Sequence, residues 1–180
     1  MIALKNILVA TDFSESSGAA LSYGRELARN LGAQLVLLHV VENMFTAEVG
    51  ADVFSFADPG LQASVRAAGQ RGVDELLGPE DRTQLRAQGV IMTSNTPALA
   101  IVEYAKRSDV NLIVMGTHGR RGLAHLLLGS VAERVVRIAP CPVLTVRHPE
   151  REFVLPDALV AVTRSGTIDR VAAPLVCHAG

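Results

Sequence analysis

The sequence has no tryptophan, 4% aromatic residues and two cysteines, Cys141 and Cys177. With so few rings, a core must be built from Val, Leu, Ile and Ala, which suits a buried parallel sheet under helices. Two cysteines supply neither a disulfide framework nor a metal cluster. A reducing, cytoplasmic setting is therefore expected. An excess of one charge is also missing: the net charge is −1, so neither nucleic acid nor an anionic membrane is an expected partner. No apolar run nears the roughly 20 residues of a membrane span. Met1 to Ile7 is too short for a secretory signal and leads straight into a strand. Lysine is scarce: Lys5 and Lys106 are the only two. No Gly-Lys-Ser/Thr of a Walker A loop can be written from them.

What the chain has is 49% hydrophobic residues in 180 positions, ample for one domain with a possible appendage. Its positive charge is almost all arginine, with Arg120, Arg121, Arg134 and Arg137 in one stretch. For Arg134 and Arg137 a phosphate-facing patch and an ordinary solvated helix face are both open readings.

In chain order, Leu4 to Ala10 reads as a buried strand ending at Thr11 and Asp12. Ser14, Ser16 and Ser17 offer N-caps for a helix. Ala20, Tyr23, Leu27 and Leu31 mark its inner face, and Gly32 its end. Gln34 to Val41 is a second strand, and strand, helix, strand at this spacing is a parallel βαβ unit. Residues 42–60 carry Phe45, Phe54 and Phe56 without a clean period. They read as an excursion that folds back over apolar surface, or as a lid or dimer contact. Leu61, Val65, Ala68, Gly72 and Leu76 predict a helix broken at Gly78-Pro79, with another turn or two over Glu80 to Gln88. Gly89 to Thr93 is a short third strand. Thr96-Pro97 starts a helix whose Ala98, Ile101, Val102 and Ala105 face inward.

The most informative stretch is Asn111 to Val146. An apolar run, Leu112 to Met115, stops at Gly116. Thr117-His118-Gly119 follow, then Arg120-Arg121 and a linker ending at Gly129-Ser130. Val131, Val135 and Ile138 carry a helical period from Ser130. Pro140 and Pro142 bracket its end, and Val143 to Val146 closes the unit as a strand. Glycines at 116, 119 and 129 allow close backbone approach, and Ser130 is placed to cap the helix. The first turn of that helix has unpaired N–H donors, Val131 and Ala132 among them, at a positive dipole end. That is the chemistry of a phosphate site, and its spacing is not the dinucleotide G-x-G-x-x-G.

This G-x2-G-x9-G-S pattern, with NLIVMGTHGRRG before it and LLGSVAERVVRIAPCPVLTV after it, resembles the ATP-binding branch of the universal stress protein family. The resemblance covers roughly residues 1–148. It implies an α/β fold of the adenine nucleotide alpha hydrolase-like type: a five-stranded parallel sheet of order 3-2-1-4-5 with helices on both faces. Asp12 and Gly116 then share a crevice at the topological switch point. Residues 149–180 form a C-terminal extension of unknown role, in which Phe153 to Leu155 and Leu159 to Val162 could be short strands.

The resemblance implies ATP, with Mg²⁺ as its charge partner, and a homodimer through strand 142–146. A carboxylate at Asp12 could accept from a ribose hydroxyl or an exocyclic amine, or it could serve the helix start near Ser14. Val40 or Val41 is expected to hold the adenine edge through backbone groups. Thr11 and Met115, at two strand ends, complete that side. Gly116, Gly119, Gly129, Ser130 and Val131 form the phosphate cradle, with Thr117, His118 and Arg120 inside the loop. His118 could equally be an exposed loop histidine, and His39 reads as a satisfied core residue. No nucleophile–base pair is legible, since Ser130 has no adjacent His or Lys and His125 lies across the linker. The leading expectation is thus a regulatory nucleotide-binding module. A slow ATPase or self-phosphorylating enzyme is the alternative, and a ligand-independent interaction module a third.

Overall fold

The structure is a computed structural model that describes residues 4–44, 59–119 and 128–147. The excursion expected over 42–60 mostly lies outside the described residues, as do Arg120, Arg121, His125 and the extension from 149 onward.

The elements are β1 (Asn6–Thr11), α1 (Glu15–Leu31), β2 (Gln34–Val41), α2 (Pro59–Leu76), α3 (Pro79–Gln84), β3 (Gln88–Thr93), α4 (Pro97–Arg107), β4 (Leu112–Gly116), α5 (Ser130–Ile138) and β5 (Val143–Val146). The five strands form one sheet of order β3-β2-β1-β4-β5, all pairs parallel. This is the expected order. The central strands are buried on both faces, so Ile7, Leu8, Val9, Leu35, Leu37, Leu38, Ile113 and Val114 are all shielded from water. Continuous apolar runs are what such strands require.

Alternate side chains feed two cores. Ile7, Val9, Leu35 and Leu37 pack with Ala20, Leu21, Ala28 and Val73 of α1 and α2. Leu8, Val36, Leu38 and Ile113 pack with Ile101, Val102, Ala132 and Val135 of α4 and α5. Helices therefore cover both faces.

Local chemistry explains the helix ends. Ser14 caps α1, its hydroxyl accepting from the Ser17 N–H, and Gly32 ends the helix in the left-handed region at φ 63°. Thr96 occupies the N-cap position of α4 before Pro97, without a side-chain bond. Several expected inner positions shift. Leu31 and Ile138 end their helices 48% and 39% exposed. In α2, Leu61 and Ala68 face water, while Gly69 and Val73 are buried. The buried stripe lies one residue further along than the apolar pattern suggested. Its glycines explain this: a Cβ on Gly69 would lie 3.0 Å from Val41 Cγ1, and one on Gly72 2.9 Å from the Phe13 ring. The sheet-facing side of α2 alternates glycine with apolar residues such as Val65, Val73 and Leu76.

One ion pair ties α1 to α3. Arg25 Nε donates to both Asp81 carboxylate oxygens, at 3.0 and 3.1 Å, and Nη2 donates to Oδ2 at 2.8 Å. Asp81 also accepts from the Gly78 N–H, and Arg25 from its side donates to the Leu76 carbonyl. Asp81 is 6% exposed, so removing its cation leaves a charge with little water to compensate it. The Arg82–Asp74 pair is instead open to solvent on both sides. The hydrogen bond from Arg82 holds the Asp74 carboxyl below the ordinary range, but exposure screens that pair. Arg25→Ala is expected to lower the unfolding free energy by about 3 kcal/mol, whereas Arg82→Ala leaves the urea midpoint where it was. Equal shifts in the two urea curves would refute this ranking.

Candidate functional site

The carboxyl ends of β1 and β4 lie side by side, with Ala10 paired to Met115. After Thr11 the chain turns sharply. Thr11 Oγ1 accepts the Phe13 N–H at 3.0 Å and contacts Ser17 Oγ at 3.1 Å. The Ser17 hydroxyl donates to the Ser14 carbonyl, so the Thr11 hydroxyl must donate to Ser17. Thr11 is 7% exposed and buried. Its role here is to build the turn.

That turn presents Asp12. Its Oδ1 accepts the Ser14 hydroxyl at 2.6 Å and the Ser14 N–H at 3.2 Å. The Ser14 oxygen in turn accepts from Ser17 N–H as the α1 N-cap. Asp12 is thus not itself the cap; it is the acceptor behind the cap, at the positive end of α1. Its other oxygen lies 2.6 Å from where a Cβ on Gly119 would be. The carboxylate and the glycine loop are therefore in contact.

The loop leaves β4 in fixed steps. The Thr117 N–H donates to the Val146 carbonyl at 2.8 Å, and the Gly129 N–H donates to the Thr117 carbonyl at 2.7 Å. So both ends of the linker, residues 119 and 129, return to one place. Thr117 is buried, and its hydroxyl meets His118 Nδ1 at 3.0 Å. His118 is half-buried and Gly119 exposed.

Each glycine of the pattern answers to a protein neighbour. A Cβ on Gly116 would stand 2.5 Å from Ser16 Oγ and 3.0 Å from the Ser16 carbonyl carbon. One on Gly129 would stand 3.1 Å from the Thr117 carbonyl oxygen. Gly116 lets α1 approach β4, Gly119 admits Asp12, and Gly129 closes the linker. The expectation that Ser130 caps α5 needs correction. The N-cap is Gly129, extended at φ −71° and ψ 155°, and Ser130 is the first helical residue. No side chain caps this helix among the described residues, and its first N–H groups point out of an uncapped end. Ser130 is exposed and Val131 half-buried.

At β2, the Val41 carbonyl accepts the Ser94 N–H at 2.9 Å, which directs the backbone groups of Val41 toward β3. Backbone groups of successive strand residues alternate in direction. Those of Val40 therefore face β1, whose ladder stops at Thr11 opposite His39. Val40, and not Val41, turns its carbonyl toward the crevice. Met115 is 5% exposed in the α4–α5 core. His39 is bonded as expected, its Nδ1 lying 2.8 Å from the Thr11 carbonyl.

Of the expected residues, the structure brings together Asp12, Gly119, His118, Gly129 and Ser130, with Val131 following in the helix. Thr11, Val41, Met115 and Gly116 stand behind them with their polar groups engaged or their side chains buried. The sequence reading named Ser14 and Ser16 only as N-cap candidates and missed Phe13. The usable signal for Phe13 was the pair Gly69 and Gly72 inside a helical pattern, since glycines there mark close approach. A shallow depression lined by Lys5, Asn6, Gln34 and Arg86 lies at the opposite ends of the strands. There Asn6 donates to the Ser108 and Asp109 carbonyls and Arg86 to the Gly32 carbonyl, so these two side chains serve the fold.

Comparison with known proteins bears on this geometry. The model of the universal stress protein family matches residues 3–147. A universal stress protein of Methanocaldococcus jannaschii is 35% identical over 159 residues, covering 82% of this chain and 85% of its own. The UspA structure from Lactobacillus plantarum shares the fold, with a TM-score of 0.69, 24% identity, and coverage of 82% of this chain and 100% of its own. A universal stress protein solved in complex with cAMP has a TM-score of 0.56 and 25% identity, over 81% of this chain and 98% of its own.

The glycine neighbours give unequal expectations. In Gly116→Ala the new methyl meets Ser16 backbone, which cannot rotate away, and a loss of about 1–3 kcal/mol is expected. In Gly119→Ala it meets a carboxylate oxygen at the end of a side chain, which gives way more cheaply than backbone although Oδ1 is bonded to Ser14, so a smaller loss of stability is expected while Asp12 is displaced. Thermal unfolding of the two variants checks this, and equal melting temperatures would contradict it.

Proposed function

The chain belongs to the universal stress protein family, and we propose that it binds an adenine nucleotide, ATP, at the crevice between β1 and β4 as a nucleotide-dependent regulatory module of the stress response. The observation that carries this is the uncapped N-terminus of α5 set one loop away from the Asp12 carboxylate. An anionic group and an anion acceptor so placed suit the two ends of a nucleotide. The phosphates lie at Gly129, Ser130 and Val131, where N–H donors and the helix dipole favour them. Asp12 would repel a phosphate, so it serves the ribose hydroxyls. The Val40 carbonyl takes the exocyclic amine of adenine. His118, Gly119 and Arg120 line the path between. The relative solved with cAMP supports an adenine nucleotide in this fold.

Magnesium fits as an ion carried by the phosphates. Among the described residues no three His, Cys, Asp or Glu side chains gather into a metal site. Mg²⁺ on a nucleotide keeps several waters and binds chiefly through the phosphate oxygens, so it does not call on Asp12, which serves the ribose side. The reading is one of binding, since no base adjacent to Ser130 is legible in the sequence, and a slow ATPase or self-phosphorylating enzyme is the alternative. A cytoplasmic site of action goes with it; no described helix is long and apolar enough to cross a membrane.

A homodimer through β5 belongs to the same reading. β5 is an edge strand of the sheet, and its Val143 and Leu144 are only half-buried. The carbonyls of Pro142 and Val146 face β4, accepting from Ile113 and Thr117. By alternation Val143 and Thr145 turn their backbone groups away from β4, where among the described residues no strand pairs with them and a second copy would.

Two measurements test these statements. Ser130→Pro removes one first-turn N–H and the hydroxyl, yet proline suits the first helical position and Gly129 is already extended as a pre-proline residue must be. Calorimetry is expected to show ATP binding to the native chain, weakened about 10- to 100-fold in this variant, the scale of a hydrogen bond to a charged group. Unchanged affinity at unchanged stability would remove α5 from the site. Thr145→Pro deletes an outward N–H without touching the β4 ladder. Light scattering is expected to show a dimer for the native chain and a monomer for the variant; a native monomer would end the dimer reading.

A further inference from the structure

We infer that Phe13 and His39 are positioning residues for Asp12, and that through them the packing of α2 sets how tightly the nucleotide is held; this rests on the binding reading above.

Both neighbours of Asp12 are pinned from the α2 side of the sheet. Phe13 sits in the left-handed region at φ 65°, a conformation that an aromatic residue adopts only when its surroundings over-determine it. Those surroundings are visible. Its ring lies 4.3 Å from the His39 ring at an interplanar angle of 45°. Above it is Gly72 of α2, whose missing Cβ would come 2.9 Å from Cε1 and Cζ. On the other side of Asp12, the Thr11 carbonyl contacts His39 Nδ1 at 2.8 Å. A carbonyl only accepts, so Nδ1 carries the proton and donates. His39 is itself covered by α2: a Cβ on Gly69 would be 3.1 Å from its Cδ2.

Gly69 and Gly72 are three apart and so share one helix face. Glycine costs about 1 kcal/mol against alanine within a helix. Two of them placed over Phe13 and His39 give up helix stability for a close fit to the turn that aims Asp12. Nothing in that fit touches a nucleotide. It is a connection from the outer helix to the carboxylate, and a displacement of α2 by one methyl group must move Phe13 first, since the end of its ring is what that methyl meets.

The test is Gly72→Ala. Helix propensity rises, the ring must shift, and the site's own residues are untouched. The expected result is a melting temperature within a few degrees of wild type, ATP affinity weaker on the order of tenfold, and displaced amide resonances for Asp12 to Ser14 in the nucleotide-free protein. His39→Leu is expected to weaken ATP similarly. His39→Asn, whose amide nitrogen takes the place of Nδ1, restores affinity, and His39→Gln does not. A purely structural role would move stability and affinity together and would not separate Asn from Gln. If Gly72→Ala fails to fold, Phe13→Leu, which adds no atom beneath the helix, carries the same measurement. Wild-type ATP affinity in Gly72→Ala and His39→Leu overturns the inference. If the native chain binds no ATP, the binding reading fails; unmoved Asp12 to Ser14 amides in Gly72→Ala then overturn the positioning role on its own evidence.

Discussion

The hydrogen bond from the Ser14 hydroxyl to the Asp12 carboxylate, 2.6 Å long, is the contact on which the carboxyl end of this sheet depends. The same oxygen that donates to Asp12 receives the Ser17 N–H and starts α1. A hydroxyl has one proton and two lone pairs, and here it serves a helix start and a functional carboxylate at once. Were Asp12 to turn away, the α1 cap would lose its partner and Gly119 its neighbour. The start of α1 and Gly119, far apart in sequence, are thereby built against one carboxylate.

Much of this was legible in the residues. Continuous apolar runs at Ile7 to Ala10 and Leu112 to Met115 can only be strands covered on both faces, and the sheet order followed from the resemblance. The glycine spacing announced a loop returning to a helix start. What it could not announce was why each glycine is there. The three positions read as one cradle, yet Gly116 answers to Ser16, Gly119 to Asp12 and Gly129 to the Thr117 carbonyl. The missing side chains first let protein approach protein. The product of that packing is an uncapped helix start.

The remaining misreadings share a cause: sequence periodicity tracks side chains, and these features belong to backbone. Val40 and Val41 are the same residue type, and only the Ser94 bond decides which carbonyl faces the crevice. Ser130 has a capping side chain but lies one position too late, behind Gly129. In α2 the apolar pattern favoured Ala68, whereas the buried residue is its neighbour Gly69. Glycine carries no hydrophobic signal, so a face selected for closeness is invisible to a search for greasy residues.

The electrostatic arrangement at this end of the sheet is uneven. Two helix starts, α1 and α5, direct positive dipole ends toward one crevice. One is already answered by Asp12 through Ser14; the other is not answered by any side chain among the described residues. A ligand gains by being anionic at α5 and neutral but hydrogen-bonding at Asp12, which is the polarity of a nucleotide read from phosphate to sugar. Asp12, its Oδ1 held by the Ser14 hydroxyl and N–H, is already committed to the α1 start. The lysine-poor composition and the geometry thus agree: what the described residues supply at this crevice is helix dipoles and backbone donors rather than a lysine.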